Sequence, residues 1–364
     1  IDKVIRDNDP YCRGVVLLGL DAPREELEAA FAAAAGTPIV KGFAVGRTIF
    51  ADAARAWLAG KISDDEAVDD MAARFAALTD QMVASHEVVL RHHYGLWYDR
   101  RRMDHERMRR PDGDVWPPFF EQPFARSGQG TAWDGLSRYD LTKYNPWYFG
   151  RLETFAALAR EKGLVLIDEM YFQHNIIEAG AHWVDSPWRP VNNINGTGFT
   201  EPPPFTGDTI KMADEFYDLN QPRRRELHRA YIRQCLANLA DQPNVIHTLT
   251  AENSGPLSFM LFWLDVVSEW EAGTGRHPLI ALSAPKAVQD AVLADPKRAA
   301  VIDVIDLTYW WRTDKGGEFA PPGGESLAPR QYQRRWKGGR QSGASLAAMV
   351  REYRQRFPDK AIIS

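Results

Sequence analysis

Three acidic residues stand where apolar runs come to an end. Glu252 closes the run inside NVIHTLTAENSGP (244–256), with Asn253 beside it and a Gly-Pro turn behind. Glu169 lies in LVLIDEMY (164–171), followed by Gln173, His174 and Asn175; Asp306 lies in VIDVIDLTYW (301–310), followed by Tyr309 and Trp310. An unpaired acid at the end of an apolar strand is costly unless something uses it. Two carboxylates sharing one site suit acid/base work on a C–O bond, in which one protonates the departing oxygen. The other attacks carbon from roughly 5 Å, or activates water when the pair stands about 6.5–9.5 Å apart. Asp303, alternating with apolar neighbours, reads instead as a residue that faces a helix or caps a turn.

Such acids need a frame that gathers strand ends. Apolar runs GVVLLGL, PIVKGFAVG, HEVVLRHHYG (86–95), LVLIDEMY, VIHTLTAE (245–252), LIALSA (279–284), VIDVIDLTYW and AIIS (361–364) read as strands. Between most of them lie amphipathic helical stretches, such as NPWYFGRLETFAALAREKG and GASLAAMVREYRQRFP. A helix is predicted over 47–78 with a second start at Ser63, whose spacing to Glu66 makes a capping box. Continuous apolar strands alternating with helices predict an α/β fold with a parallel sheet covered on both faces. A (β/α)8 TIM-barrel-like architecture leads, and a doubly wound open sheet is the alternative. In such a barrel the chemistry sits at the carboxyl ends of the strands.

The long connections are aromatic. Residues 94–150 carry Trp97, Trp116, Trp133 and Trp147, and AHWVDSPWRPVNNINGTGFTEPPPF adds Trp183 and Trp188. Aromatic faces mixed with Asp, Asn, Gln and Arg suit a sugar, which has an apolar C–H face and a rim of hydroxyls; about half of these rings are expected only to hold the loops on the sheet. The arginines from Arg100 to Arg110 read mainly as a solvated face balanced by Asp99, Asp104 and Glu106, with a carboxylated sugar as the functional alternative.

Composition narrows the partners. The chain has 364 residues, 45% hydrophobic and 26% charged, with a net charge of −5. That charge does not attract nucleic acid or an anionic membrane, and no run reaches the length of a membrane span. Cys12 and Cys235 are the only cysteines and lack metal spacing, so neither a disulfide framework nor a metal site is expected. A small-molecule or oligosaccharide substrate, no cofactor and a cytoplasmic setting follow, or a periplasmic or secreted one if a signal precedes Ile1.

Two resemblances extend this reading. From about His92 onward, HHYGLWYDRRRMDHERMRRPDGDVWPPFFEQPFARSGQGTAWDGLSRYDLTKYNPWYF, MYFQHNIIEAGAHW and LIALSAPKAVQDAVLADP resemble a bacterial family of glycoside-hydrolase-like barrels. The resemblance implies a clan with its acid/base at the end of the fourth strand and its nucleophile at the end of the seventh. Glu252 falls at the acid/base position, although the clan's Asn before that Glu is here Ala251, with Asn253 after it. The seventh-strand equivalent is AIIS, so the nucleophile is expected beyond Ser364, or the role falls to Glu169 or Asp306. Residues 1 to about 80 are similar to the end of the aldolase-like C-terminal domain of bacterial deoxygluconokinases of inositol catabolism. That similarity implies a phosphate loop at Gly19, Gly46 and Arg47.

The chain thus reads as two pieces, 1–80 and 81–364, the second a barrel truncated at its C-terminal end, or as a hybrid or incomplete barrel. The expected function is cleavage of a glycosidic bond with Glu252 as general acid/base and Glu169 and Asp306 as further catalytic carboxylates. His92, Trp97, Asp99, Arg100, Trp133, Gln173, His174, Asn175, Asn253, Tyr309 and Trp310 are the candidate substrate contacts. A phosphosugar aldolase or lyase and a non-catalytic sugar-binding barrel are the alternatives.

Overall fold

The computed structural model describes residues 15–19, 26, 29, 33, 40–45, 47–84, 88–93, 122–177, 183–206 and 209–364. Two parallel sheets run through it. Strands β1 (Val15–Gly19) and β2 (Val40–Val45) form a two-stranded parallel sheet. The other sheet has six parallel strands: β3 (Val89–His93), β4 (Val165–Glu169), β5 (Val245–Thr248), β6 (Leu279–Ser283), β7 (Val304–Asp306) and β8 (Ala361–Ile363). Each pairs only with its neighbours in sequence, in the order β8-β7-β6-β5-β4-β3. A doubly wound sheet reverses its strand order part-way; this one never does, so that alternative is set aside and the architecture is a partial barrel of mixed α/β class.

The helices are placed by local chemistry. Helix α1 (Arg47–Leu58) is followed by α2 (Asp64–Ala84), and the break falls where the sequence predicts it: Glu66 Oε2 accepts from Ser63 N at 2.8 Å while Glu66 N donates to Ser63 Oγ at 3.2 Å. Helix α3 (Pro146–Glu161) starts from the Asn145 side chain, which accepts from Trp147 N and Tyr148 N, with Pro146 at the first helical position. Helices α4 (Pro222–Asn238), α5 (Leu257–Thr274), α6 (Lys286–Ala294) and α7 (Gly343–Arg356) supply the remaining crossovers. Gly275 ends α5 at φ 68, a left-handed cap that costs glycine little. Among the described residues no helix is long and apolar enough to cross a membrane.

The core lies between the six-stranded sheet and these helices. Ile280, Leu282 and Ile305 are fully buried, each stabilising by about 1.5–3 kcal/mol relative to exposure. Trp263, Trp310, Tyr231 and Phe259 fill the helix side. Helix α2 joins this body through Phe75, stacked on Phe155 of α3 at 4.4 Å, and through the ion pair of Asp80 with Lys162. Its Met71 also packs with Ala53 and Ala54 of α1.

Candidate active site

Strand alternation sorts the polar residues of the sheet into two rows. His92, Asp168 and His247 are in register and face the helices, since His92 sits 6.0 Å from the Tyr148 ring of α3. Asp168 Oδ1 lies 3.2 Å from His92 Nδ1 and Oδ2 lies 3.0 Å from His247 Nδ1. Burial by itself would raise the Asp168 carboxyl, but hydrogen bonds from His247 and His92 outweigh it and hold the group well below the usual carboxylate range.

The other row faces away from the helices, at the carboxyl ends of the strands. Arg91 Nη1 donates to Glu169 Oε1 at 3.3 Å. Burial works against the Arg91 charge, yet Tyr309, Glu169 and Asp306 around it raise the guanidinium above its ordinary value. Tyr309 is pushed up to about 12, by burial first and then by Asp306 and Glu169, against Arg91 and a hydrogen bond from the Glu252 backbone. Asp306 Oδ1 accepts from Thr308 N at 2.9 Å and Thr308 Oγ1 at 2.5 Å, an Asx turn that fixes the carboxylate at the strand end. Thr248 and Ser283 belong to the same row, in register with Glu169 and Asp306. Among the described residues their buried hydroxyl oxygens have no hydrogen-bond partner.

Glu252 stands just beyond β5 with φ 49, the one non-glycine residue with positive φ among those described. Such a backbone costs on the order of 1–3 kcal/mol and persists only where its surroundings over-determine it. Here they do. Gln173 Nε2 donates to the Glu252 carbonyl at 2.5 Å, while Gln173 Oε1 accepts from Ser254 N at 2.7 Å and from Tyr217 Oη at 2.9 Å. Asn253 Oδ1 accepts from Gly255 N at 2.7 Å, and Ser254 Oγ donates to the Glu325 carbonyl at 2.8 Å. Among the described residues the Glu252 side chain, 9% exposed, meets one cation: Arg330 Nε, 2.8 Å from Oε1, on a side chain that is 71% exposed.

A family model described as "Domain of unknown function (DUF6298)" matches residues 64–364, the larger part of the chain and all of the six-stranded sheet. The chain belongs to this family. A second family model, "Uncharacterized protein conserved in bacteria (DUF2090)", matches residues 1–85. The DUF6298 and DUF2090 spans overlap across α2. No curated protein matches the chain.

Within the DUF6298 span the structure gathers some expected residues and separates others. Glu169, Asp306 and Tyr309 surround Arg91, and the Glu252 backbone reaches Tyr309. Strand alternation turns His92 to the helix face, against Asp168. Trp310 lies in the core. It is fully buried, with Nε1 donating to Gln289 Oε1 at 3.0 Å and its ring 5.6 Å from Tyr353. Gln173 and Asn253 are each 1% exposed and hold the Glu252 loop through their hydrogen bonds. His174 is half-buried beside Phe172, and Asn175 closes the short turn Gln173–Asn175. Trp133, also half-buried, donates its backbone N–H to Asn192 Oδ1 at 2.9 Å in the loop of a hairpin. Gly19 ends β1 and Arg47 opens α1, whereas Gly46, Trp97, Asp99 and Arg100 lie outside the described residues. Arg91, Thr248 and Ser283 escaped the sequence reading; the signal for Arg91 was a lone charge inside the apolar run VVLRHH. Among the described residues no group of three or more His, Cys, Asp and Glu is arranged to hold a metal ion.

Proposed function

We propose that the chain is a carbohydrate-active hydrolase. Glu252 is the general acid/base, and Asp306 or Glu169 is the second carboxylate. The observation that carries this reading is Glu252 itself, a buried carboxylate locked in a strained backbone conformation at the end of a parallel strand. Its loop is tied through Tyr309 to a row that holds two further acids and two hydroxyls without partners. In this reading Glu252 donates a proton to the glycosidic oxygen as the bond breaks. The carboxylate beside Arg91 either takes up the anomeric carbon or draws a proton from water that does so. Thr248 and Ser283 are suited to the hydroxyls of a sugar ring, which both donate and accept. The frame we propose is a (β/α)8 barrel, since β1 and β2 bring the parallel strands to the eight that closure needs.

Glu252→Gln keeps shape and removes the transferable proton. Turnover of alkyl glycosides, which have poor leaving groups, is expected to fall by at least ~10²-fold, and turnover of activated aryl glycosides to fall less. Equal losses on both substrate types sink the acid role, and no loss on either removes Glu252 from the site. Glu169→Gln and Asp306→Asn then identify the second carboxylate, whose loss depresses both substrate types alike.

A further inference from the structure

The segment 326–342 carries Arg330, Arg334, Arg335, Lys337 and Arg340 and no acidic residue, in a chain whose net charge is −5. It is not a remote solvated face. Gly324 N donates to the Ser254 carbonyl at 2.5 Å, which fastens the start of the segment to the Glu252 loop, and Arg330 then reaches Glu252 Oε1 at 2.8 Å. Trp336, 5.7 Å from Phe319, anchors its far end. Arg330 and Arg334 are four apart on the short helix Pro329–Arg335, so they share a face. Like charges at that spacing destabilise a helix, and among the described residues Arg334, Arg335, Lys337 and Arg340 are all exposed with no acidic partner. The cluster adjoins Glu252, and its outer cations, exposed and without acidic partners among the described residues, are open to an anion.

We infer that the substrate is an anionic glycan, bearing sugar carboxylates or sulfate esters, and that its anion draws Arg330 away from Glu252. This rests on the glycosidase reading of Glu252. While Arg330 Nε sits 2.8 Å from Oε1 in an ion pair, the guanidinium occupies that oxygen; delivering a proton to a leaving group requires the pair to open. An anionic group on the substrate supplies the competing partner, and the exposure of Arg330 leaves it free to swing. A guanidinium matches carboxylate and sulfate oxygens in a two-pronged contact, which suits this exchange better than a lysine would.

Affinity electrophoresis of the full chain tests it, in gels containing polygalacturonate, dextran sulfate, uncharged dextran or duplex DNA. Retardation is expected in one or both anionic glycans, with polygalacturonate marking a carboxylate ligand and dextran sulfate a sulfate ester, and none in dextran. Arg330→Gln and the double variant Arg334→Gln/Arg335→Gln should each weaken the retardation at least fivefold, with melting temperature checking the fold. The double variant, made wholly on exposed side chains, decides the matter if Arg330→Gln does not fold. Equal retardation by duplex DNA, or retardation by glycans that survives the double variant, overturns the inference. The Glu252→Gln kinetics are independent of these gels, so loss of the acid role leaves the binding result readable, and the reverse.

Discussion

Arg91 and Glu169, on neighbouring strands, meet on the face turned away from the helices, guanidinium Nη1 to carboxylate Oε1 at 3.3 Å, with the glutamate side chain fully buried. Breaking a buried pair by removing one partner costs about 3–5 kcal/mol, because the other charge stays behind uncompensated. Arg91 is 31% exposed, which places Arg91→Met at the low end, about 3 kcal/mol in urea unfolding. Adding Glu169→Gln should restore at least about half of that loss, since the buried charge that Arg91 balanced is gone. A single variant as stable as the wild type removes Arg91 as the organiser of this row.

Gly255 tests the link from backbone to chemistry. A Cβ there would lie 2.9 Å from Asn253 Oδ1 and 3.2 Å from the Tyr217 ring, both of which brace the Glu252 loop. Gly255→Ala should therefore displace Glu252 and lower turnover by roughly 10–10²-fold while the fold survives. Steady-state kinetics beside a thermal melt separates the two effects. Unchanged kinetics in a folded variant means that the loop tolerates movement.

Gln173→Leu strands the Ser254 N–H and the Tyr217 hydroxyl, both buried and both donating to Gln173 Oε1. At about 1–3 kcal/mol for each unsatisfied group, urea unfolding should show a loss of roughly 2–6 kcal/mol. A loss below about 1 kcal/mol would mean that the loop finds other acceptors.

His228 gives a pH signature. Its Nε2 faces the Phe216 carbonyl at 3.2 Å and so carries the proton, leaving Nδ1 to accept from Tyr171 Oη at 3.0 Å. Burial pushes its pKa down to about 3, against about 6.5 in an unfolded chain. As pH falls below the unfolded value the unfolded chain takes up a proton that the folded one refuses. Stability should drop by up to about 1.4 kcal/mol per pH unit. Asp168, held low, adds its own loss only below about pH 4. His277, raised by Asp303 and Glu271, loses its contribution as pH climbs through and beyond about 6.5. Urea unfolding between pH 6 and 5 covers the window in which the His228 contribution falls, and His228→Gln should flatten the slope there; an unchanged slope assigns it to another group.

The aldolase-type alternative has its own readout. A phosphate site where α1 begins would make inorganic phosphate or a phosphosugar raise the melting temperature, as any ligand of the folded state does. The proposed function expects no rise with either. A dose-dependent rise would move the reading toward phosphosugar chemistry.

Strands were legible because apolar runs such as LIALS and VLIDE are buried on both faces, and the Ser63–Glu66 capping box marked a helix start from four residues. The direction of individual side chains was harder to read. His92 and Arg91 are adjacent and both polar, and only the pairing of β3 with β4 decides which one meets Glu169 and which meets Asp168. Gln173 and Asn253 looked like substrate contacts because polar residues beside an acid suggest one. Their partners, Tyr217, Ser254 and Ser283, come from distant segments that no local pattern announces. The burial of Trp310 was hard to read for the same reason, since a large ring after an acid is as useful to a core as to a sugar.

The outer side of β3 has no strand against it among the described residues, and Val88 and Val89 there are 62% and 43% exposed. An open parallel edge is a template for any extended segment that reaches it. In the closed barrel proposed above, the chain's own β2, tethered through α1 and α2, takes that place, and a β-strand from another copy competes for it. Tethering favours the first at ordinary concentrations, because its effective concentration does not change on dilution. Crowded or partly unfolded samples favour the second, and the same edge then makes the protein prone to aggregate before its core has melted.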